Sequence, residues 1–344
     1  MPPMPDQNPD AVVAVGVGSA GCRIVSLLSK QSLLIDRFAY VSCDKNDFEL
    51  VGAGKKVLID CPVEQKLTPS IVRGLSITVR HTIANAVRGA RVVFVVAGLG
   101  GATGTGLAPL VAEMAQKSWA TAVGVAVMPF EFEQKLRFYA GVSLRRLRAA
   151  TSGVIVIDND ILMKSSREGA TLKEIYQLAN GEAVTVLASL LSKSSETSLP
   201  VGLNKVLGTV LQDGYSLLAV SRSGSIDKTE EALAGAIISI SRVAEAKEVS
   251  HAVLFLTGDS SLSANHVGLA VKRLGSVMNE ADVEYGVNYA GTSQLQVSLL
   301  ASGFKSTKYD DYDPLSKVFR GKDVIDDTME YALPQGLEAL QSCD

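Results

Sequence analysis

Histidine is scarce, with three in 344 residues, and His81, His251 and His266 stand without an obvious partner. No histidine or cysteine constellation for nucleophilic or acid–base catalysis can be drawn from them. The four cysteines, Cys22, Cys43, Cys61 and Cys343, form no CxxC pair and no metal-ligand spacing. They read as reduced thiols of a cytoplasmic protein, and no metal site is expected. An excess of one charge is also lacking, the formal net charge being −3. A dedicated nucleic-acid binder would carry a basic surplus. No apolar run approaches about 18 residues, so no membrane insertion is expected. Residues 1–9 have neither the charged nor the apolar region of a signal peptide and read as a flexible tail. Internal repeats and low-complexity tracts are absent. What is present is 47% hydrophobic and 20% charged, enough for one large or two modest domains with full cores.

The most informative stretch is Gly100-Gly101-Ala102-Thr103-Gly104-Thr105-Gly106. It follows an apolar strand-like run at 92–97 and precedes a helical run from 107, with Pro109 expected in that helix's first turn. Glycines leave no Cβ between backbone amides and a ligand. A helix start adds unpaired N–H groups and partial positive charge, and Thr103 and Thr105 offer hydroxyl donors. Together these predict a cradle for a di- or triphosphate. Packing alone also produces glycine-rich turns; the two threonines alternating with glycines favour phosphate. No Gly-Lys-Ser/Thr follows, so this is not a Walker loop.

A second glycine loop lies near the start. A strand at 11–15 runs into Gly16-Val17-Gly18-Ser19-Ala20-Gly21 and then a helix at 22–29, which matches GxGxxG. The next strand, 38–41, leads to Asp44, roughly where a dinucleotide fold places its ribose acid. A NAD(P)-binding oxidoreductase is therefore an alternative, although it has no use for a second phosphate loop. Further strands are expected at 57–60, 121–128 and 154–157, and a long helix at 70–88.

The order Gly-Gly-x-Thr-Gly-Thr-Gly resembles the signature of the tubulin/FtsZ family of polymerising GTPases, with Ala102 where that family usually has glycine. The likeness extends over roughly 11–304. Ser42-Cys43-Asp44 stands where the family has Asn-Thr-Asp. Pro129-Phe130-Glu131-Phe132-Glu133-Gln134-Lys135-Leu136-Arg137 resembles Pro-Phe-x-Phe-Glu-Gly-x-x-Arg, which places Glu133 at the ribose and Arg137 near the phosphates. A Glu133–Arg137 pair one helical turn apart is the plainer account. Asp158-Asn159-Asp160 puts Asn159 in the role of reading guanine, and Tyr176 falls where an aromatic stacks on the base. The cluster Arg145, Arg146, Arg148 reads as a solvated face.

The resemblance also exposes losses. The γ-phosphate loop, normally glycine-rich, reads Val63-Glu64-Gln65-Lys66-Leu67-Thr68-Pro69 and keeps only the proline. The guanine-reading Asp would fall at Gly181 or Asn180, and Asn can make only part of a carboxylate's contacts. Arg23 replaces an Asn. In this family a loop after the central helix brings two acids to the neighbouring subunit's nucleotide. Here those positions are Gly202 and Lys205, and no carboxylate lies between Glu196 and Asp213. No confident catalytic residue remains.

The resemblance implies an α/β fold: a Rossmann-like GTPase domain with a mainly parallel sheet, a central helix and a second α+β domain. The divisions are a tail 1–10, a nucleotide-binding domain 11–171, the helix 172–193, a second domain 194–304 and a tail 305–344. It implies GTP or GDP as ligand, with Mg²⁺ brought by the nucleotide. It implies head-to-tail self-assembly into cytoskeletal filaments of the cytoplasm, in the setting of cell division, with hydrolysis slow or lost. The tail carries no recognisable anchor-recruiting peptide, so any adaptor is of unknown kind. A nucleotide-free scaffold is the other alternative.

Overall fold

The computed structural model describes residues 10–313 apart from 50, 63–65, 163–168, 279–280 and 292. The readings made for 1–9, for Val63, Glu64 and Gln65 of the altered loop, and for the tail beyond 313 lie outside the described residues. The first half runs β1 (Ala11–Val17), α1 (Gly18–Leu28), β2 (Arg37–Ser42), β3 (Lys55–Leu58), α2 (Pro69–Leu75), α3 (Arg80–Val87), β4 (Ala90–Gly98), α4 (Ala102–Lys117), β5 (Thr121–Met128), α5 (Gln134–Ala149), β6 (Gly153–Asp158) and α6 (Asn159–Leu162). The second half runs α7 (Leu172–Leu191), β7 (Ser198–Leu199), α8 (Leu203–Val210), β8 (Tyr215–Ser223), α9 (Thr229–Ser241), β9 (His251–Gly258), α10 (Ala264–Val277), β10 (Asp282–Tyr289) and β11 (Leu295–Phe304).

All the strands join one 11-stranded sheet of order β3-β2-β1-β4-β5-β6-β8-β11-β9-β10-β7. Its first six strands are parallel, and β8 continues the sheet parallel to β6. Beyond that, β11 pairs antiparallel with both β8 and β9. Continuous Val- and Ala-rich strands suit a sheet covered on both faces. In β4, Val93, Val95 and Ala97 enter one core and Val92, Phe94 and Val96 the other. The second core also receives Ala183, Val186, Leu187 and Leu190 of α7, which lies along α1. Helix α7 starts at Leu172 as expected, behind a reciprocal Thr171–Glu174 capping box, and ends at Leu191, two residues short of the expected 193.

Three expectations need correction. The helix expected at 22–29 begins at Gly18, inside the glycine motif. The helix at 70–88 is broken into α2, a 3₁₀ turn at Ser76–Val79 and α3. There Ser76 Oγ donates to the Arg73 carbonyl at 2.6 Å and Thr78 Oγ1 to that of Leu75 at 3.1 Å, bonds that compete with the helical ladder. Helix α4 begins at Ala102 rather than 107, so Pro109 lies in its interior. Proline cannot donate to the carbonyl four residues back. That carbonyl, of Thr105, accepts instead from Ser143 Oγ on α5 at 3.0 Å. The missing helical bond is thus replaced by a contact between two helices.

Candidate functional site: a double helix-start cradle

The two glycine stretches meet where β1 and β4, adjacent parallel strands, each turn into a helix. Gly18 takes φ +68°, and a Cβ there would stand 3.1 Å from the Gly104 nitrogen. Both helix starts are bare. Neither α1 nor α4 has a side-chain cap, and neither has an acidic residue in its first turn. Orphan N–H groups and the positive ends of two helix dipoles therefore converge on one spot. Gly101, the N-cap of α4, is exposed, and nothing lies within 4 Å of where its Cβ would be.

Not every residue of the two glycine motifs faces that spot openly. A Cβ on Gly16 would meet the Gly21 carbonyl at 2.5 Å, and one on Gly21 the Val96 carbonyl at 2.2 Å. Gly104 abuts the Gly98 carbonyl at 2.2 Å and Gly106 the Pro69 carbonyl at 2.5 Å. These four glycines permit close backbone packing beneath the cradle. Gly100 takes φ +111° and rests against Leu136. Thr105 is 5% exposed, and its Oγ1 accepts from the Gly100 N–H at 2.8 Å, so it braces the turn. Ala102 and Thr103 are half-buried in the first turn of α4. Ser19 Oγ donates to Asp47 Oδ2 at 2.9 Å, as does Ser42 Oγ at 2.6 Å. Asp47 was not foreseen; it is a buried carboxylate holding the α1 start to the end of β2. Asp44, exposed, caps the 3₁₀ turn Lys45–Phe48 through the Asn46 N–H.

On the far side of the cradle, β5 and β6 bring a second group. Glu133 is the N-cap residue of α5, and its carboxylate accepts from the Phe130 N–H at 2.8 Å and from the Tyr176 hydroxyl. Burial and the Glu133 charge push the Tyr176 phenol up. The helical Glu133–Arg137 pair does not form. Arg137 donates to the Glu131 carbonyl at 2.6 Å and lies over the Tyr312 ring. Asn159 is buried at the start of α6, with its Oδ1 unpartnered among the described residues. Asn180 is buried on α7, which packs on α6. Beside them Asp160 is pushed up to about 6, chiefly by burial and then by the Asp158 charge.

The arginine cluster is not a solvated face. Arg145 Nε contacts the buried Asp313 at 2.5 Å, and Arg148 covers the Tyr215 ring. With Lys308 bonded to Asp158 at 2.6 Å, these contacts dock residues 305–313, read as tail, onto α5 and β6.

Gly202 and Lys205 lie elsewhere, at the N-terminal ends of the parallel strands. They line a cavity of about 510 Å³ with Val12, Arg91 and Lys193. Gly202 caps α8 at φ +86°, and Lys205 Nζ binds Glu284 Oε2 of β10 at 2.5 Å. Absence of a carboxylate along the loop thus did not mean absence in space. Cys43 and Cys61, unpaired by spacing, are free, half-buried thiols just beyond the paired strands β2 and β3, packed against the same core. Among the described residues no three His, Cys, Asp or Glu side chains gather to hold a metal, and no helix is long and apolar enough to cross a membrane.

A profile of the Tubulin/FtsZ family, GTPase domain, matches residues 66–167. The chain is 32% identical over 233 residues to cell division protein FtsZ 1 of Pyrococcus horikoshii, covering 65% of this chain and 62% of that protein. It is 24% identical over 326 residues to FtsZ of Neisseria meningitidis serogroup A, covering 90% and 82%. Among solved structures, an empty FtsZ dimer of M. jannaschii superposes with TM-score 0.75 at 23% identity, over 86% of this chain and 88% of that one. The CetZ2 protofilament of Haloferax volcanii with bound GTPγS gives 0.74 at 19%, over 90% and 98%. The aligned region thus spans less than two thirds of the Pyrococcus relative, while the fold is shared across most of both structures.

Proposed function

Because this chain is a divergent FtsZ-like protein with the α/β architecture of tubulin and FtsZ, we propose that it binds a guanine nucleotide and assembles with copies of itself, with hydrolysis slow or lost. The observation that carries the reading is the convergence of two uncapped helix starts, α1 and α4, on the open Gly101. Such a spot attracts a polyanion, and few other ligands would use both dipoles. The N–H groups of the first turns of α1 and α4 would hold the phosphates. Glu133 and Tyr176, already bonded to each other, would meet the sugar and base, and the unpartnered Asn159 Oδ1 would accept from a base N–H. A nucleotide would bring its own Mg²⁺.

The loop with Gly202 and Lys205 sits at the opposite ends of the strands from the cradle, so head-to-tail stacking of copies would bring the two together. One FtsZ of M. jannaschii is a dimer and the CetZ2 of Haloferax volcanii is a protofilament in their solved structures. A filament-forming role in the cytoplasm, in the setting of division, with an adaptor of unknown kind, extends the same reading. Lys205, paired to Glu284 and protonated, has no lone pair with which to activate water.

The test is nucleotide-dependent stabilisation. At a ligand concentration 100 times Kd, binding adds about 2.7 kcal/mol to stability. GTP and GDP should raise the Tm and ATP should not. A nucleotide-free scaffold is favoured by one observation, that Thr105 and four of the glycines are occupied by internal packing. A Tm indifferent to every nucleotide, with filaments still formed, would establish it.

A further inference from the structure

Residues 305–313 carry a cation to the far side of the cradle. Their 3₁₀ turn, Lys308–Tyr312, is started by a reciprocal Thr307–Asp310 box, and the Lys308 N–H donates to the Val243 carbonyl at 2.8 Å. Gly141 lets the segment lie directly on α5: a Cβ there would stand 2.7 Å from the Asp313 nitrogen. From this seat Lys308 Nζ pairs with Asp158 Oδ2 at 2.6 Å and lies 3.9 Å from Glu131 Oε1. A run of hydrogen bonds continues from there. Asp158 Oδ1 accepts the Asp160 N–H at 2.8 Å, which closes a turn around Asn159. Asp160 Oδ2 accepts the Glu131 N–H at 3.0 Å, and two residues on Glu133 accepts from the Phe130 N–H and the Tyr176 hydroxyl. Asn159 is 7% exposed and its Oδ1 has no partner among the described residues. The turn, not a bond to that oxygen, therefore sets where the amide oxygen stands.

From this arrangement we propose that Lys308 is a positioning residue for the nucleotide base, so that docking of residues 305–313 and nucleotide binding are linked through the Asp158 turn. The proposal rests on the nucleotide-binding reading given above. Asp158 is 3% exposed and lines a pocket of about 310 Å³ with Glu131, Asp160, Arg242 and Lys308. A carboxylate so buried needs a facing cation. With Lys308 gone its charge would be opposed by the carboxylates of Asp160 and Glu131. The group would then turn toward water or Arg242 and give up the Asp160 N–H. The turn around Asn159 would open, and the amide oxygen would no longer stand ready for a base N–H.

Linkage works in both directions. If the docked segment favours the nucleotide by some factor, the nucleotide favours the docked segment by the same factor. The segment lies outside the cradle, held by Asp158, Val243 and the backbone of α5, so its response to a nucleotide must pass through the network described. A cation that only stabilised the fold would leave the segment indifferent to what the cradle holds. Lys308 meets Asp158 as a point charge on one oxygen, with its side chain 27% exposed. An arginine therefore has room to serve there, whereas a neutral side chain does not replace the charge.

The experiment titrates GDP into the full chain, Lys308→Ala and Lys308→Arg by calorimetry, and follows amide hydrogen exchange of the wild-type chain with and without GDP. The expected result is GDP binding at least about 5-fold weaker in Lys308→Ala, the low end of a typical coupling, with most of the affinity kept in Lys308→Arg. In the wild-type chain GDP should slow exchange at residues 307–313. That measurement needs no variant, so it decides the matter even if Lys308→Ala does not fold. Exchange at 307–313 unchanged by bound GDP overturns the linkage. Undiminished GDP binding in a folded Lys308→Ala overturns the positioning role, and so does a loss that Lys308→Arg fails to recover. These outcomes leave the nucleotide reading standing, since GDP still binds the wild-type chain. Absence of GDP binding to the wild-type chain overturns that reading and the linkage with it.

Discussion

Gly18 and Gly104 face each other across the start of two helices, close enough that a Cβ on Gly18 would stand 3.1 Å from the Gly104 nitrogen. The two glycine-rich stretches are therefore halves of one structure, joined by neighbouring parallel strands. The six-strand order β3-β2-β1-β4-β5-β6 is that of a dinucleotide fold. What differs is the second bare helix start and the sheet's continuation through β8.

Substitution at Gly101 should separate binding from folding. Its backbone is in the extended region and its Cβ would enter open space. Gly101→Val should keep the wild-type Tm within about 0.5 kcal/mol equivalent and lose the shift given by GTP. Gly104→Val cannot make that distinction, because its Cβ would lie 2.2 Å from the Gly98 carbonyl. It should unfold at clearly lower temperature, by roughly 1–3 kcal/mol or more. A GTP shift surviving in Gly101→Val would put the anion elsewhere.

The Ser143–Thr105 contact gives a test of the proline in α4. Ser143→Ala should cost about 1–3 kcal/mol, since the Thr105 carbonyl is left buried and unpaired. In Pro109→Ala the new N–H can donate to that carbonyl. Adding Pro109→Ala to Ser143→Ala should therefore recover most of the loss in urea unfolding. Simple additivity of the two changes would show that the carbonyl is not the point of coupling.

Asp160 makes stability depend on pH. Its folded value is raised from 3.8 to about 6 by burial, then by Asp158 and Glu131, against the pull of the Glu131 N–H and Lys308. Between those values the folded protein keeps a proton that the unfolded chain has released. Stability should thus fall as pH rises from about 4 to about 6. The group is half-exposed, so after solvent screening the change should be roughly 1 kcal/mol or less. Asp160→Asn should flatten this part of the profile; an unchanged slope would assign it to another group.

Much of the fold was legible because local and global signals agree. The apolar runs of β1, β4, β5 and β6 are long enough to be buried on both faces. The helix starts were placed several residues late, because glycines read as loop although Gly104 and Gly106 are helical. The cradle was visible as two glycine motifs, yet the roles of its members were not. Thr105 and Gly16 look like ligand residues by type, and only the fold shows that they brace the backbone. The Ser19–Asp47 and Lys205–Glu284 contacts join elements far apart in sequence, so no spacing could reveal them.

Turnover is the sharpest remaining test, and Lys205 is the place to make it. Wild-type protein should release phosphate from GTP negligibly, even when assembled, since Lys205 and Gly202 supply no base. Restoring an acid at 202 is a poor experiment: φ +86° with ψ 142° suits only glycine there, and a side chain would cost roughly 1–3 kcal/mol. Lys205→Asp is better. It exchanges a surface ion pair with Glu284 for a like-charge contact that solvent screens, so the fold should persist. A positioned base is typically worth 10²–10⁴-fold, so even a poorly placed one should raise phosphate release measurably in assembled protein and not below the assembly concentration. Wild-type turnover that vanishes in Lys205→Ala would instead give Lys205 a direct part in the reaction and overturn its reading as a lost acid.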